Sequence, residues 1–136
     1  MLPAFFSEAV GAEKDATRVL IAEDEFLLRL DAAESMRRLG WQVVEVSSAD
    51  EAMELLRYSV TFDLLLTDIN MPGQADGLDL ARYVRSAYPE MKIAIMSEER
   101  EVPSIDRELC ELVLVKPVWN IGESLIKIME VSQDAS

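Results

Sequence analysis

Five short apolar runs, separated by longer segments of helical periodicity, constrain the fold more than any other feature of this 136-residue sequence. The runs lie at residues 19–22, 43–46, 64–67, 93–96 and 112–115. They are apolar nearly throughout instead of alternating with polar residues, which is typical of strands covered on both faces of a parallel sheet. We therefore predict an α/β domain with a doubly wound sheet of five parallel strands and helices on both faces.

The segments between the runs carry helix signals. The four predicted helices cover residues 25–39, about 48–57, 79–87 and 118–131. The first of them has one apolar stripe, formed by Phe26, Leu30, Ala33 and Met36, and Gly40 follows as a helix stop. The second helix opens on the capping-box pattern of residues 48–51. The periodicity is weak over residues 97–110 and predicts only one or two helical turns there.

Composition excludes several function classes. Thirteen basic and 26 acidic residues give a net charge of −13, which argues against nucleic acid and anionic membrane surfaces as partners. The chain has no histidine, so it lacks the commonest zinc ligand, and its one cysteine cannot form an internal disulfide. No apolar run approaches the ~20 residues of a transmembrane helix, and the acidic N-terminus does not resemble a signal peptide. We expect a cytoplasmic domain.

Polar residues follow four of the five runs. Glu23 and Asp24 follow the first, Asp68 the third, Ser97 the fourth and Lys116 the fifth. The carboxyl ends of parallel strands meet at one edge of a sheet, so we expect these side chains to lie together. Each acid alone is explained as a helix cap, and Lys116 with the following proline as a turn. The agreement of four strand ends favours a functional site.

The chemistry of that set points to a metal ion and phosphoryl transfer. Carboxylates ~5 Å apart repel by roughly 3 kcal/mol per pair at an effective dielectric constant near 20, and a bound cation relieves the repulsion. Oxygen ligands without histidine or cysteine favour Mg²⁺. With a lysine as further positive charge, Asp68 is the candidate nucleophile for a phosphoryl group.

The sequence resembles the receiver domain of bacterial two-component response regulators, single-domain and chemotaxis-regulator-like. The resemblance covers residues 17–130 and rests on five segments in family-like order: VLIAEDE (19–25), LLLTDINMPG (64–73), DGLDLA (76–81), IAIMS (93–97) and LVLVKP (112–117). It implies a flavodoxin-like sheet with strand order 2-1-3-4-5. It divides the chain into an N-terminal extension (1–16), a receiver domain (17–133) and a C-terminal tail (134–136).

The same resemblance implies a role for each site residue. Asp68 is expected to accept phosphate from a phosphohistidine of a histidine kinase or histidine phosphotransfer protein. Asp24, Asp68 and the backbone carbonyl of Asn70 are expected to bind Mg²⁺, with Glu23 acting through a water molecule. Lys116 is expected to pair with the phosphoryl group and Ser97 to hydrogen-bond it. The resemblance also implies a cis bond before Pro117.

These roles describe a self-dephosphorylating switch and not a conventional enzyme. We expect no output domain after the last predicted helix, and we therefore expect the signal to reach a downstream protein by contact or by phosphate relay. Two other functions stay open. One is a pseudo-receiver that is never phosphorylated and acts as an interaction module. The other, less favoured, is a phosphatase of the haloacid dehalogenase type, which needs a second aspartate where this chain has Asn70.

Overall fold

One sheet of five parallel strands forms the centre of the structure, a computed structural model that describes residues 16–58, 60–99, 105 and 108–134. The strands are β1 (Arg18–Ala22), β2 (Gln42–Val46), β3 (Leu64–Asp68), β4 (Lys92–Ser97) and β5 (Leu112–Val115). Their order is β2-β1-β3-β4-β5, and each neighbouring pair is parallel. The predicted fold class and strand order are confirmed, and each strand extends the predicted run by at most one residue at either end.

Four helices are present in the described residues. They are α1 (Phe26–Arg37), α2 (Ala49–Leu56), α3 (Gly77–Ala87) and α4 (Ile121–Asp134). Ser48 accepts a hydrogen bond from the backbone N–H of Glu51, as the capping pattern predicts. The third helix begins two residues earlier than predicted, because Asp76 and Asp79 form a reciprocal capping box. The fourth begins three residues later than predicted.

The two faces of the sheet bury separate apolar clusters. Side chains alternate along each strand, so Leu20 and Ala22 face one layer while Val19 and Ile21 face the other. The first cluster packs the sheet against α2 and α3, and the second packs it against α1 and α4. Cys110 is buried in the first cluster. Both faces of the sheet are therefore covered, and ligands can approach its strands only at their ends.

Two large apolar side chains, Phe26 and Trp119, are exposed. Phe26, predicted on the apolar stripe of α1, is 59% exposed, whereas Ala33 and Met36 of the same stripe are buried, together with Ala32. Trp119 is 79% exposed. Phe26 lies four residues after the end of β1, and Trp119 lies four residues after the end of β5. The apolar periodicity of a helix does not reveal how far its first turn extends past the sheet.

Other features agree with expectation or lie outside the described residues. The Lys116–Pro117 bond is cis, and Gly40 after α1 has a φ of 86°. No helix in the described part of the chain is long and apolar enough to cross a lipid bilayer. The predicted N-terminal extension falls outside the described residues except for Ala16, and so do residues 100–104 and 106–107 of the weakly periodic segment.

Candidate functional site

The carboxyl edge of the sheet brings together acids that are far apart in sequence. Asp68 ends β3, the central strand, and Glu23 and Asp24 directly follow β1 beside it. One carboxylate oxygen from each of these three residues lies within 4.8 Å of the others. Glu23 and Asp68 are buried, whereas Asp24 is exposed to solvent. The predicted clustering of the three acids is therefore present.

Lys116 joins this cluster from β5, two strands away from Asp68. Its Nζ donates hydrogen bonds to Asp68 Oδ2 and to Glu23 Oε1, both at 3.0 Å. The second oxygen of each acid accepts a backbone N–H: Ile69 donates to Asp68 Oδ1, and Glu25 donates to Glu23 Oε2. Each oxygen of the two buried carboxylates thus accepts one hydrogen bond, and these bonds hold the groups in fixed orientations.

Burial and charge shift the acid–base properties of this pair. Burial raises the pKa of Glu23, and repulsion from Asp68 acts in the same direction, against the hydrogen bonds from Glu25 and Lys116. Burial acts to lower the pKa of Lys116, but its hydrogen bonds to Asp68 and Glu23 outweigh that effect and raise the pKa above its usual value. The lysine is therefore firmly protonated at neutral pH.

The donor set fits a hard divalent cation. Three carboxylates and one ammonium leave two negative charges without compensation in a small volume. All the candidate ligands in the cluster are oxygens, which is the ligand type that Mg²⁺ prefers. Asn70, whose backbone carbonyl we expect as a further ligand, lies two residues after Asp68 in the loop that follows β3. The residues present therefore fit the expected Mg²⁺ ion.

Ser97 lies at the end of β4, the strand next to Asp68. Its side chain is buried, and its Oγ accepts a hydrogen bond from the backbone N–H of Glu99 at 3.0 Å. The Ser97 carbonyl accepts a hydrogen bond from the backbone N–H of Lys116 at 2.7 Å, which ties the ends of β4 and β5 together. The bond from Glu99 uses only the acceptor side of the hydroxyl, and among the described residues no acceptor takes its proton.

Gly77 is a site-supporting residue to which sequence reasoning assigned no role. A Cβ at this position would lie 1.7 Å from the carbonyl oxygen of Asp68, and the Gly77 N–H donates to the carbonyl of Ile69 at 2.8 Å. The start of α3 therefore packs directly on the backbone that carries Asp68, which only glycine allows. The one available signal was the Asp76-Gly77 pair before the helical periodicity.

A groove of about 510 Å³ opens beside the acids at the same edge of the sheet. Its lining includes Glu23 and Lys116 together with Leu28, Val118 and Trp119. A larger groove of about 690 Å³ lies at the opposite edge, where the strands begin, and none of the predicted site residues lines it. The predicted site residues and the groove of about 510 Å³ therefore lie at the same, carboxyl edge of the sheet.

Comparison with known proteins identifies the family of this arrangement. The sequence model of the response regulator receiver domain matches residues 19–118. The response regulator receiver protein CpdR of Brucella abortus is 34% identical over 103 residues, which cover 74% of this chain and 84% of CpdR. The transcriptional regulatory protein PdtaR of Mycobacterium tuberculosis is 44% identical over 70 residues, but these cover 51% of this chain and only 33% of PdtaR.

Solved structures agree with the sequence comparison. A response regulator receiver protein from Sinorhizobium medicae superposes with a TM-score of 0.71 at 29% identity, covering 90% of this chain and 98% of that one. The structural match covers most of the chain, and the family match over residues 19–118 includes the strand ends that carry the acids and the lysine.

Proposed function

The chain belongs to the response regulator receiver domain family, and we propose that it is a phosphoacceptor that takes a phosphoryl group on Asp68 in a Mg²⁺-dependent reaction. Lys116 carries the proposal, because its Nζ lies 3.0 Å from Asp68 Oδ2 beside a cluster of acids with excess negative charge. A purely structural salt bridge needs one acid, whereas this lysine is shared by two buried acids at the edge where ligands bind α/β sheets.

The proposed reaction moves one phosphoryl group and leaves the protein otherwise unchanged. A carboxylate oxygen of Asp68 attacks the phosphorus of a phosphohistidine in the donor protein, the P–N bond breaks, and the electron pair of that bond returns to the histidine ring. An acyl phosphate forms on Asp68. Mg²⁺, when held by Asp24, Asp68 and the Asn70 carbonyl with Glu23 acting through water, supplies positive charge to the phosphoryl oxygens.

The chain's own residues orient the reacting groups. Ile69 and Lys116 hold one oxygen of Asp68 each, which fixes the carboxylate before the donor arrives. Lys116 stays protonated and can move its hydrogen bond from the carboxylate to a phosphoryl oxygen. Ser97 donates its hydroxyl proton to another phosphoryl oxygen. The new contacts shift the protein between two conformations, and a partner protein reads the shifted surface.

The donor and the receiver of the signal are proteins in this proposal. The donor is a histidine kinase or a histidine phosphotransfer protein, since the chain itself has no histidine to carry the phosphate. The net charge of −13 supports a protein partner over nucleic acid or an anionic membrane. We place the domain in the cytoplasm, where the ATP that charges a histidine kinase is found. The downstream partner receives the signal by contact or receives the phosphate itself.

Labelling with a small phosphodonor tests the function directly. Incubation with acetyl phosphate and Mg²⁺ should add one acid-stable, base-labile phosphoryl group, seen as a single mass increment. Asp68→Asn should abolish the increment, and so should removal of Mg²⁺ with EDTA. Asp31→Asn is the matched control, because Asp31 is an exposed acid on the same edge of the fold. Equal labelling of Asp68→Asn would disprove the assignment, and a wild-type protein that never labels would support the pseudo-receiver.

A further inference from the structure

Arg29 makes an unusual set of contacts beneath the acidic loop. It lies in the first turn of α1, yet its side chain is only 15% exposed. Its Nη1 donates a hydrogen bond of 2.8 Å to the backbone carbonyl of Glu23, and its Nε lies 3.4 Å from Glu45 Oε1 on β2. Its guanidinium also stacks over the Phe26 ring, 5.5 Å from the centroid. By sequence alone this arginine belongs to the polar, solvent-facing side of the helix.

The direction of the Glu23 carbonyl affects the geometry of the candidate metal site. This carbonyl belongs to the peptide unit that joins Glu23 to Asp24, and such a unit is planar. A fixed carbonyl direction therefore fixes the Cα position of Asp24, the exposed acid of the cluster. The other groups of Glu23 are also held: its N–H donates to the Val46 carbonyl, and its carboxylate accepts from Lys116 and Glu25.

We propose that Arg29 is a positioning residue for the metal site, which it serves by holding the Glu23–Asp24 peptide in the orientation that brings the Asp24 carboxylate toward Asp68. This inference rests on the proposed function, since it concerns the Mg²⁺ ion that the phosphoacceptor needs. Arg29 touches neither the metal ligands' carboxylates nor the phosphoryl group in this scheme. Glu45 anchors the guanidinium so that it presents Nη1 to the carbonyl.

The direction of the change in Mg²⁺ affinity on replacing Arg29 distinguishes a positioning role from a purely electrostatic one. Removing a nearby positive charge would, by electrostatics alone, strengthen binding of a divalent cation. Removing a positioning residue weakens it, and outer-shell partners of metal ligands typically contribute 10–100-fold in affinity. Arg29→Met should therefore weaken Mg²⁺ binding by about tenfold or more.

Arg37 provides a matched control on the same helix. Its Nη2 lies 3.0 Å from Glu45 Oε2, so it shares the acidic partner of Arg29, but it donates its backbone-directed hydrogen bond to the carbonyl of Val43 and not to that of Glu23. Arg37→Met removes the same charge and disturbs the same glutamate. We expect it to lower stability while leaving Mg²⁺ affinity within about twofold of wild type, because surface charges act weakly across water.

The experiment measures Mg²⁺ affinity of the full chain by isothermal titration calorimetry, with urea unfolding as the measure of stability. Arg29→Lys keeps the charge but not the fork that reaches two acceptors at once, so it should weaken Mg²⁺ binding nearly as much as Arg29→Met. Arg29→Lys also supplies the answer if the methionine variant fails to fold.

The outcomes distinguish this inference from the proposed function. Weaker Mg²⁺ binding in both Arg29 variants, with Arg37→Met unchanged, supports positioning. Unchanged or tighter binding in the Arg29 variants, while wild type still binds Mg²⁺ and labels on Asp68, overturns the positioning role alone. A wild-type protein that neither binds Mg²⁺ nor labels overturns both.

Discussion

Replacing Lys116 by methionine should expose the electrostatic strain of the acidic cluster. In the metal-free protein, each of the two 3.0 Å contacts of Lys116 corresponds to a gross attraction of about 5.5 kcal/mol at an effective dielectric constant near 20. The carboxylate oxygens of Glu23, Asp24 and Asp68 lie within 4.8 Å of one another, so each pair repels by at least about 3.5 kcal/mol in the same medium.

The net cost of the substitution is smaller than the gross attraction, because burying the lysine itself costs hydration energy in the wild type. Removing one partner of a buried ion pair typically costs 3–5 kcal/mol. The Lys116 side chain is 17% exposed, which allows some solvent screening, so we expect a loss of about 3 kcal/mol in the free energy of unfolding. Mg²⁺ should stabilise the Lys116→Met variant more than it stabilises the wild type, since the uncompensated negative charge of the cluster rises from two to three.

Urea unfolding followed by circular dichroism, in EDTA and in saturating Mg²⁺, measures both effects. Lys127→Met is the control: Lys127 is an exposed lysine on α4, and its substitution should change stability by no more than about 0.5 kcal/mol. Adding Asp68→Asn to Lys116→Met should restore part of the stability, with a coupling of about 0.5–3 kcal/mol. A loss below about 1 kcal/mol, the range of exposed ion pairs, would refute the reasoning, and so would an equal Mg²⁺ effect in both proteins.

Two further substitutions test the burial of Glu23 and the close packing at Gly77. Because burial raises the folded-state pKa of Glu23, the penalty of its charged form is absent below the unfolded pKa and grows as pH rises through the folded pKa. Glu23→Gln should therefore stabilise the Mg²⁺-free protein at pH 7.5 by about 0.5–2 kcal/mol and lose that advantage near pH 4, as urea unfolding at the two pH values would show. Gly77→Ala should destabilise by about 1–3 kcal/mol or more and slow labelling of Asp68, because its Cβ would lie 1.7 Å from the Asp68 carbonyl. Gly122→Ala, whose Cβ would meet only the Leu39 side chain at 3.3 Å, should be neutral or stabilising, and the opposite ranking in thermal unfolding would contradict this account.

The sheet could be predicted from the sequence because its signal is local. Strands buried on both faces need apolar side chains at every position, so each one appears as an uninterrupted run. Helix boundaries were less accurate where capping decides them. The start of α3 depends on the reciprocal bonds of Asp76 and Asp79, and the loop before α4 contains a cis bond and the positive φ of Asn120. The exposure of Phe26 depends on where the helix lies relative to the sheet edge, which periodicity does not encode.

Some residues of the candidate site could likewise be predicted from local sequence, whereas others depend on tertiary contacts. The acids and Lys116 could be located because each directly follows a strand, and a parallel sheet brings all such positions to one edge. Arg29 and Gly77 contact backbone atoms, the carbonyls of Glu23 and Asp68, and the sequence does not reveal where a backbone carbonyl points. An arginine on a polar helix face and a glycine before a helix both have ordinary explanations. Only the packed structure shows that Arg29 lies against the Glu23 carbonyl and Gly77 against the Asp68 carbonyl. The candidate ligand-binding residues could therefore be recognised in the sequence by chemical type, whereas the residues proposed to position them could be recognised only from the structure.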